Sequence, residues 1–575
     1  MNIVICGLVL ITYIVNCVAA EQRTVDSNVG KITGDIRTVK IGPNTADITT
    51  FLGIPYAEPP VGNLRFRKPA KKAKFDNMFA ASEFGASCPQ FHLMYTPEKM
   101  DEDCLFLNIY TPDITGSDTK YPVMIFIHGG GFILGDGKAM NVEKLAAYGQ
   151  LVTVSINYRL GPLGFLDTGD DAVDTNNGLR DQHLAIKWVK DNIEIFGGDP
   201  TSITIFGESA GSASVIYQTI YPENEGLFQR AIAESGSANS FWSVTPDPRK
   251  IAKLLAEKLD CPETSSSKAI VQCLRDFKNT THIAVASNVT VGGLLCWSPS
   301  VDGDFVIKNR IDALGNTSTQ TNLIPFKNLD LLMGTTDYDG LIFLTFGEVT
   351  AHFTELQSAS TVDEIQEANY NIISLVLNYA FGKDLASELL DSVLFLYTNY
   401  EDPSDKDLHK KQASDFATDV GFFVSTATSL EKHAYQNTGS KTYQYEFCDR
   451  HDFQFKAPWI KGAMHVDELL YVLGLHEDLR PFIEITEEQT TAKWPFATRI
   501  MDYWTNFAKT GDPNSPRKPA VQWREYTSSD KSYLYITSED TANRKHLNAR
   551  RTAFWTSYVP KLIKKAGGDH WSHKN

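Results

Sequence analysis

Three uninterrupted apolar runs constrain the fold of this chain more than any other feature. Residues 121–128 (YPVMIFIH), 151–157 (LVTVSIN) and 202–206 (SITIF) lack the polar alternation of a half-exposed strand. Each therefore predicts a strand buried on both faces. The segments between them are long enough for crossover helices. One of them, residues 182–196, carries Leu184, Ile186, Val189 and Ile193 near helical spacing and stops at Gly197-Gly198-Asp199-Pro200. Strands alternating with helices imply an α/β fold with a mostly parallel central sheet, whose ligands bind beyond the carboxyl ends of the strands. A further stretch, from Phe346 to about Asp415, has apolar periodicity in residues 370–377 and 385–396 and predicts a helical insertion over that sheet.

Nothing divides the chain further. It shows no internal repeat, no coiled-coil heptad and no Pro-rich or Gly/Ser-rich linker, so one catalytic domain over residues 21–575 is expected. With 54 basic against 70 acidic residues the net charge is −16, which repels polyanions and excludes nucleic acid as a partner. The first twenty residues carry no charged side chain and end in Val18-Ala19-Ala20, the pattern of a signal peptide and of secretion, with an uncleaved anchor as the alternative. No later run reaches the length of a membrane span. The last residues, 569–575, lack an ER-retrieval tetrapeptide, and no hydrophobic tail precedes them.

Removing the signal leaves Cys88, Cys104, Cys261, Cys273, Cys296 and Cys448, an even number for an oxidising compartment. Cys88 and Cys104, and Cys261 and Cys273, are near enough for local pairing, while Cys296 and Cys448 lie far apart; spacing alone leaves the connectivity open. Sequons at Asn279, Asn288 and Asn316 suit a glycosylated surface.

The chemistry is carried by two glycine-rich motifs. Gly207-Glu208-Ser209-Ala210-Gly211 follows directly on the run 202–206 and precedes a stretch of small residues. That is the setting of a nucleophile elbow, in which the glycines flank a sharp strand-to-helix turn presenting Ser209. The triplet pattern alone is common by chance; its strand and helix context is what makes it informative. About 80 residues upstream, His128-Gly129-Gly130-Gly131-Phe132 ends the first apolar run. Its glycines allow backbone N–H groups to approach a reacting carbonyl, which names Gly130, Gly131 and Ala210 as oxyanion donors. A hydroxyl also needs a base and an orienting acid. Chain order in such folds places both after the serine, which excludes His128 and His183. His465, in the loop-like stretch 458–469, is the leading base, but His433, His451 and His476 are not separated from it by spacing. Asp337, Asp339 and several other acidic residues between Ser209 and His465 are all candidates for the acid.

Taken together these motifs resemble the carboxylesterase type B and cholinesterase family. The likeness also runs through Glu102-Asp103-Cys104-Leu105-Phe106-Leu107-Asn108, with Phe106 where Tyr or Thr is usual, and through residues 157–165, 178–182 and 196–200. Within the family the passages 177–183, 334–343 and 503–514 are most similar to the bile-salt-activated lipase branch. The resemblance implies the α/β-hydrolase fold with helical insertions over the active site, a Ser209–His465–Asp339 triad acting through an acyl-enzyme, and no metal or organic cofactor. It selects Asp339 because that branch has Asp where most relatives have Glu. It also implies disulfides Cys88–Cys104, closing a loop at the mouth of the site, and Cys261–Cys273. Lipid esters are the implied substrates and bile salts the implied accessory ligands. The surface arginines behind a bile-salt response are not placed by the sequence, and the Pro-rich repeat tail of the mammalian lipase is missing.

Two other readings compete. A general carboxylesterase or cholinesterase-like enzyme would act on small soluble esters, but the first disulfide loop offers Tyr95 where cholinesterases present a Trp to the choline cation. The family also contains non-catalytic adhesion proteins that have lost the serine or the histidine, whereas Ser209, Asp339 and His465 are all present here.

Overall fold

A computed structural model describes residues 21–91, 97–112, 120–245, 247–288, 290–291, 294–295, 297–316, 321–345, 349–437, 439–451, 456–475 and 485–565. The expected signal peptide, Tyr95, Cys296, His476 and the C-terminal residues 569–575 lie outside these.

The three apolar runs become strands buried along nearly their whole length. The first is β5 (Tyr121–Ile127), the second β6 (Val152–Ile156) and the third the core of β7 (Gly198–Glu208). Side chains alternate across them. Val123, Ile125 and Ile127 enter one apolar cluster, while Met124 and Phe126 enter another on the opposite face. Burial on both faces is why the pattern reads as continuous rather than alternating, and each such side chain contributes roughly 1.5–3 kcal/mol to burial.

Before them comes an antiparallel meander of β1 (Gln22–Ser27), β2 (Gly30–Ile41), β3 (Asn44–Pro55) and β4 (Phe106–Pro112). After them come β8 (Arg230–Glu234), β9 (Asp330–Thr336), β10 (Thr442–Phe447), β11 (Ser532–Ile536) and β12 (Ala542–Lys545). The order across the sheet is β1-β2-β3-β4-β6-β5-β7-β8-β9-β10-β11-β12, with the short pair Phe79–Ala80 beside β2. From β6 to β11 every pairing is parallel.

One face is covered by α1 (Asn177–Asn192) and α2 (Ala210–Ile220), through Leu179, Ile186, Val189, Ile216 and Tyr217. The other is covered by the long helix Glu487–Thr510, through Phe496, Ile500, Met501, Trp504 and Phe507. The predicted insertion is helical: α3 (Val349–Ser358), α4 (Val362–Phe381), α5 (Lys383–Tyr397) and α6 (Lys406–Thr418), continuing into α7 (Val424–Ala434). Thr361 and Glu364 form a capping box at the start of α4, satisfying two otherwise orphaned N–H groups. The helices pack into a separate apolar cluster that includes Tyr338, Leu341, Trp459 and Trp555.

Candidate active site

The parallel strands bring the candidate residues to one edge of the sheet. Ser209 joins β7 to α2 at φ +58° and ψ −121°, a conformation that costs about 1–3 kcal/mol and survives only where its surroundings hold it. Its N–H donates to Glu234 O at 2.8 Å, and its carbonyl accepts from Ala213 N at 2.9 Å. The following Gly211 allows β5 and α2 to close on each other: a Cβ there would stand 2.0 Å from Ile127 O. Asp339 begins the turn after β9, and His465 lies in the loop after β10, just ahead of the short helix Asp467–Val472.

Asp339 and His465 meet. Nδ1 of the imidazole lies 2.8 Å from Asp339 Oδ1. The other carboxylate oxygen accepts from Ser235 Oγ at 2.8 Å and Thr336 N at 2.9 Å, so the wholly buried acid is held on both sides. The remaining candidates are engaged elsewhere. Asp337 accepts from Ala463 N at 2.8 Å, and burial pushes its carboxyl up to about 7. His433 is buried between Thr442 Oγ1 and Leu329 O, and desolvation lowers it to about 3. His451 pairs with Asp467 at 2.6 Å. Of the two histidines excluded by chain order, His183 contacts Asn224, and His128 stacks on Tyr158 at 4.4 Å and is held neutral by burial, at about 4.

The glycine loop lies against the serine. A Cβ on Gly129 would stand 3.2 Å from Ser209 Cβ. Gly130 has φ +98° and its carbonyl accepts from Ile133 N and Leu134 N, which turns the loop back on itself. The N–H groups of Gly130, Gly131 and Ala210 donate to no acceptor among the described residues. Ala210 opens α2, where a first-turn N–H has no partner within its own helix. Three backbone donors are thus left available beside a hydroxyl, and a developing negative charge suits them.

Sequence reasoning missed the carboxyl cluster below. Glu208 Oε1 lies 3.1 Å from His465 Nε2 but outside hydrogen-bond alignment, which leaves that oxygen without a partner. Glu234 accepts from Trp504 Nε1 at 3.0 Å, and Glu468 from Tyr445 OH at 3.1 Å and Ser235 Oγ at 3.3 Å; each keeps one buried oxygen unpartnered. Burial, reinforced by Asp339 and Glu234, pushes Glu208 well above the usual carboxylate range. Burial raises Glu234 to about 8, and burial with Asp339 and Glu208 raises Glu468 strongly. Glu208 was visible inside the serine motif and Glu468 stands three residues after His465, on the helix Asp467–Val472, while Glu234 comes from the end of β8, which no spacing rule connects to them.

A chain of aromatic rings leads to the imidazole of His465. Phe132 and Trp242 stand 6.4 Å apart, Trp242 and Phe343 6.3 Å, Phe343 and Phe422 4.9 Å, and Phe422 and His465 4.7 Å, centre to centre. Cys88 is bonded to Cys104 and Cys261 to Cys273, and Cys448 carries a free thiol. At the base of the first disulfide loop, Gln90 exchanges hydrogen bonds with Gly135 N and O, tying that loop to the glycine loop. Of the sequons, Asn279 caps a helix and is exposed, Asn288 is exposed and Asn316 is half-buried. Among the described residues no group of three or more His, Cys, Asp or Glu suits a metal ion.

The sequence profile of the Carboxylesterase family matches residues 21–555. The chain belongs to the carboxylesterase family. Human Bile salt-activated lipase is 33% identical over 561 residues, covering 94% of this chain and 70% of that protein. The rat Bile salt-activated lipase is 34% identical over 553 residues, covering 92% and 84%. Mouse Neuroligin-2 is 33% identical over 604 residues, covering 94% and 68%. Membership in the carboxylesterase family accounts for the sheet, the elbow and the glycine loop together. Relatives named as lipases and as neuroligins match equally well, so activity has to be argued from the site itself. Among the described residues no helix is long and apolar enough to cross a membrane.

Proposed function

We propose that this carboxylesterase-family chain is a carboxylic ester hydrolase with Ser209 as nucleophile, His465 as base and Asp339 as orienting acid. The observation that carries the reading is the 2.8 Å contact between His465 Nδ1 and Asp339 Oδ1 on the strand edge that presents Ser209. His465 Nε2 takes the Ser209 proton as Oγ bonds to the ester carbonyl carbon. The carbonyl oxygen becomes an oxyanion facing Gly130, Gly131 and Ala210, each donor contributing about 3–4 kcal/mol in the transition state. The imidazolium returns the proton to the leaving alcohol, leaving an acyl-enzyme. Water, deprotonated by the same nitrogen, then releases the acid and restores Ser209. Asp339 fixes the tautomer and favours the imidazolium throughout. No step needs a metal or organic cofactor.

The aromatic wall formed by Phe132, Trp242, Phe343 and Phe422 supports an apolar acyl group, and the lipase relatives point the same way: triacylglycerols and cholesteryl esters, with bile salts as accessory ligands. The chain acts as one catalytic unit, exported by residues 1–20 and glycosylated at Asn279, Asn288 and Asn316; the two disulfides support an oxidising destination. The neuroligin matches favour a second reading, a binding protein without turnover.

Hydrolysis of a short soluble ester and of an emulsified long-chain ester, with and without bile salt, separates these. Activity on the emulsion that rises with bile salt and vanishes in Ser209→Ala supports the lipase. Activity confined to the short ester makes the chain a general carboxylesterase. No turnover on either favours the binding protein.

A further inference from the structure

Between α6 and α7 the helix makes one π-turn, Asp419–Phe423, in which Val424 N–H bonds to Asp419 O. All five residues of the turn are buried. Such turns carry a residue more than the helix needs and recur where a function uses the irregularity. Here the turn delivers Phe422 onto the imidazole of His465, centres 4.7 Å apart and planes at 38°. Phe422 is itself backed by Phe343, stacked at 4.9 Å. The carbonyl of Gly421 accepts from Trp242 Nε1 at 2.7 Å, and a Cβ on Gly421 would stand 2.2 Å from Phe343 Cε2. The turn is therefore fitted to its aromatic neighbours residue by residue.

It is also anchored from behind by a buried charge. Asp419 is fully buried and accepts from Tyr397 OH at 2.6 Å, and Tyr397 in turn accepts from Trp555 Nε1 at 2.8 Å. Arg551 donates Nη2 to Asp419 Oδ1 at 3.3 Å and brings Nε to 2.6 Å from Oδ2, outside hydrogen-bond alignment; its Nη1 lies 3.3 Å from Asp415. A carboxylate withdrawn from water this completely is costly unless paired, and breaking such a pair is strongly destabilising locally.

We propose that the π-turn is a positioning element for the catalytic histidine: Phe422 holds the imidazole in its working plane, and Arg551 acts through Asp419 to hold Phe422. The inference rests on the ester-hydrolase reading. The Asp339 bond fixes one edge of the ring but leaves it free to rock about that contact. A ring seated against it at a 38° tilt removes that freedom, and small misplacements of a catalytic group cost rate steeply.

The test uses an acetyl ester, whose acyl group is too short to report on the length of an acyl pocket, with active sites counted by a serine-directed fluorophosphonate. Phe422→Leu is expected to lower kcat per titrated site about ten-fold with KM within about two-fold of wild type. Phe422→Met serves in its place if the leucine variant loses its cooperative thermal transition. Arg551→Lys, which keeps the charge but loses the fork, is expected to lower kcat in the same direction by a smaller factor, from a position behind the turn. An unchanged acetyl-ester kcat in a folded Phe422 variant, with effects confined to KM for long acyl chains, overturns the proposal and leaves Phe422 a pocket wall. Failure of the wild-type chain to hydrolyse any ester or to take up the fluorophosphonate refutes the hydrolase reading instead.

Discussion

Glu208 places a carboxyl oxygen 3.1 Å from Nε2 of His465, the nitrogen that the proposed mechanism has exchange protons with Ser209, without forming a hydrogen bond to it. A second anion there would compete with the serine for the imidazole. Burial and the neighbouring carboxyls push Glu208 well up, which favours its neutral form. Glu208→Gln copies that form. Its kcat/KM should stay within about three-fold of wild type at pH 6, and any alkaline inflection due to Glu208 ionisation should vanish from a pH 5–9 profile. A hundred-fold loss at pH 6 would mean that the carboxylate is the working species.

The two aspartates after β9 separate cleanly by contact. Asp339 touches His465, whereas Asp337 touches Ala463 N. Asp339→Asn keeps the shape but offers the wrong tautomer a partner, and should lower kcat about 10⁴-fold. Asp337→Asn should leave kcat within a few-fold. Equal losses in purified, folded variants would undo the assignment.

Asp337 also bears on stability. With Glu446 and Cys448 it lines an ionic cavity of about 180 Å³ behind β9 and β10. Burial raises both carboxyls to about 7. Below about pH 4, where the unfolded carboxyls are also protonated, their contribution is fully present. Between there and pH 7 the folded chain binds the extra protons, so stability declines as pH rises. The thermal midpoint should fall from pH 5 to pH 8, and Asp337→Asn with Glu446→Gln should flatten the fall. An unaltered slope in the double variant would show that other groups set it.

What the sequence made legible was whatever depends on local order. The doubly buried strands, a helix over much of 182–196 (in fact Asn177–Asn192, with a 3-10 turn Ile193–Phe196) and the Ser209 turn all follow from short-range pattern, and β5 and β7 lie side by side as a parallel crossover requires. The antiparallel meander of β1 to β4 was not anticipated, because its strands alternate weakly and gain their partners only through the sheet. The choice between Asp337 and Asp339 needed either a relative or a distance. Glu234 and Phe422 were invisible: each reaches the site through tertiary packing, and a π-turn has no periodic signature that separates it from the helix around it.

The glycine loop offers a contrast between two neighbours. A Cβ on Gly131 meets nothing closer than Ile133 Cγ1 at 3.7 Å, so alanine fits sterically and suffers only from φ +60°. A left-handed conformation costs a non-glycine residue about 1–2 kcal/mol. A Cβ on Gly130 would stand 2.2 Å from Leu134 O at φ +98°, and backbone cannot yield as a flexible side chain can. Gly131→Ala should therefore fold with a modestly lowered melting temperature and retain a measurable fraction of kcat. Gly130→Ala must move the loop, and with it a donor worth about 10²–10³-fold in kcat. The comparison is read as kcat per fluorophosphonate-titrated site together with thermal melting. If Gly130→Ala kept wild-type kcat while Gly131→Ala lost it, the loop would not be an oxyanion hole built as proposed here.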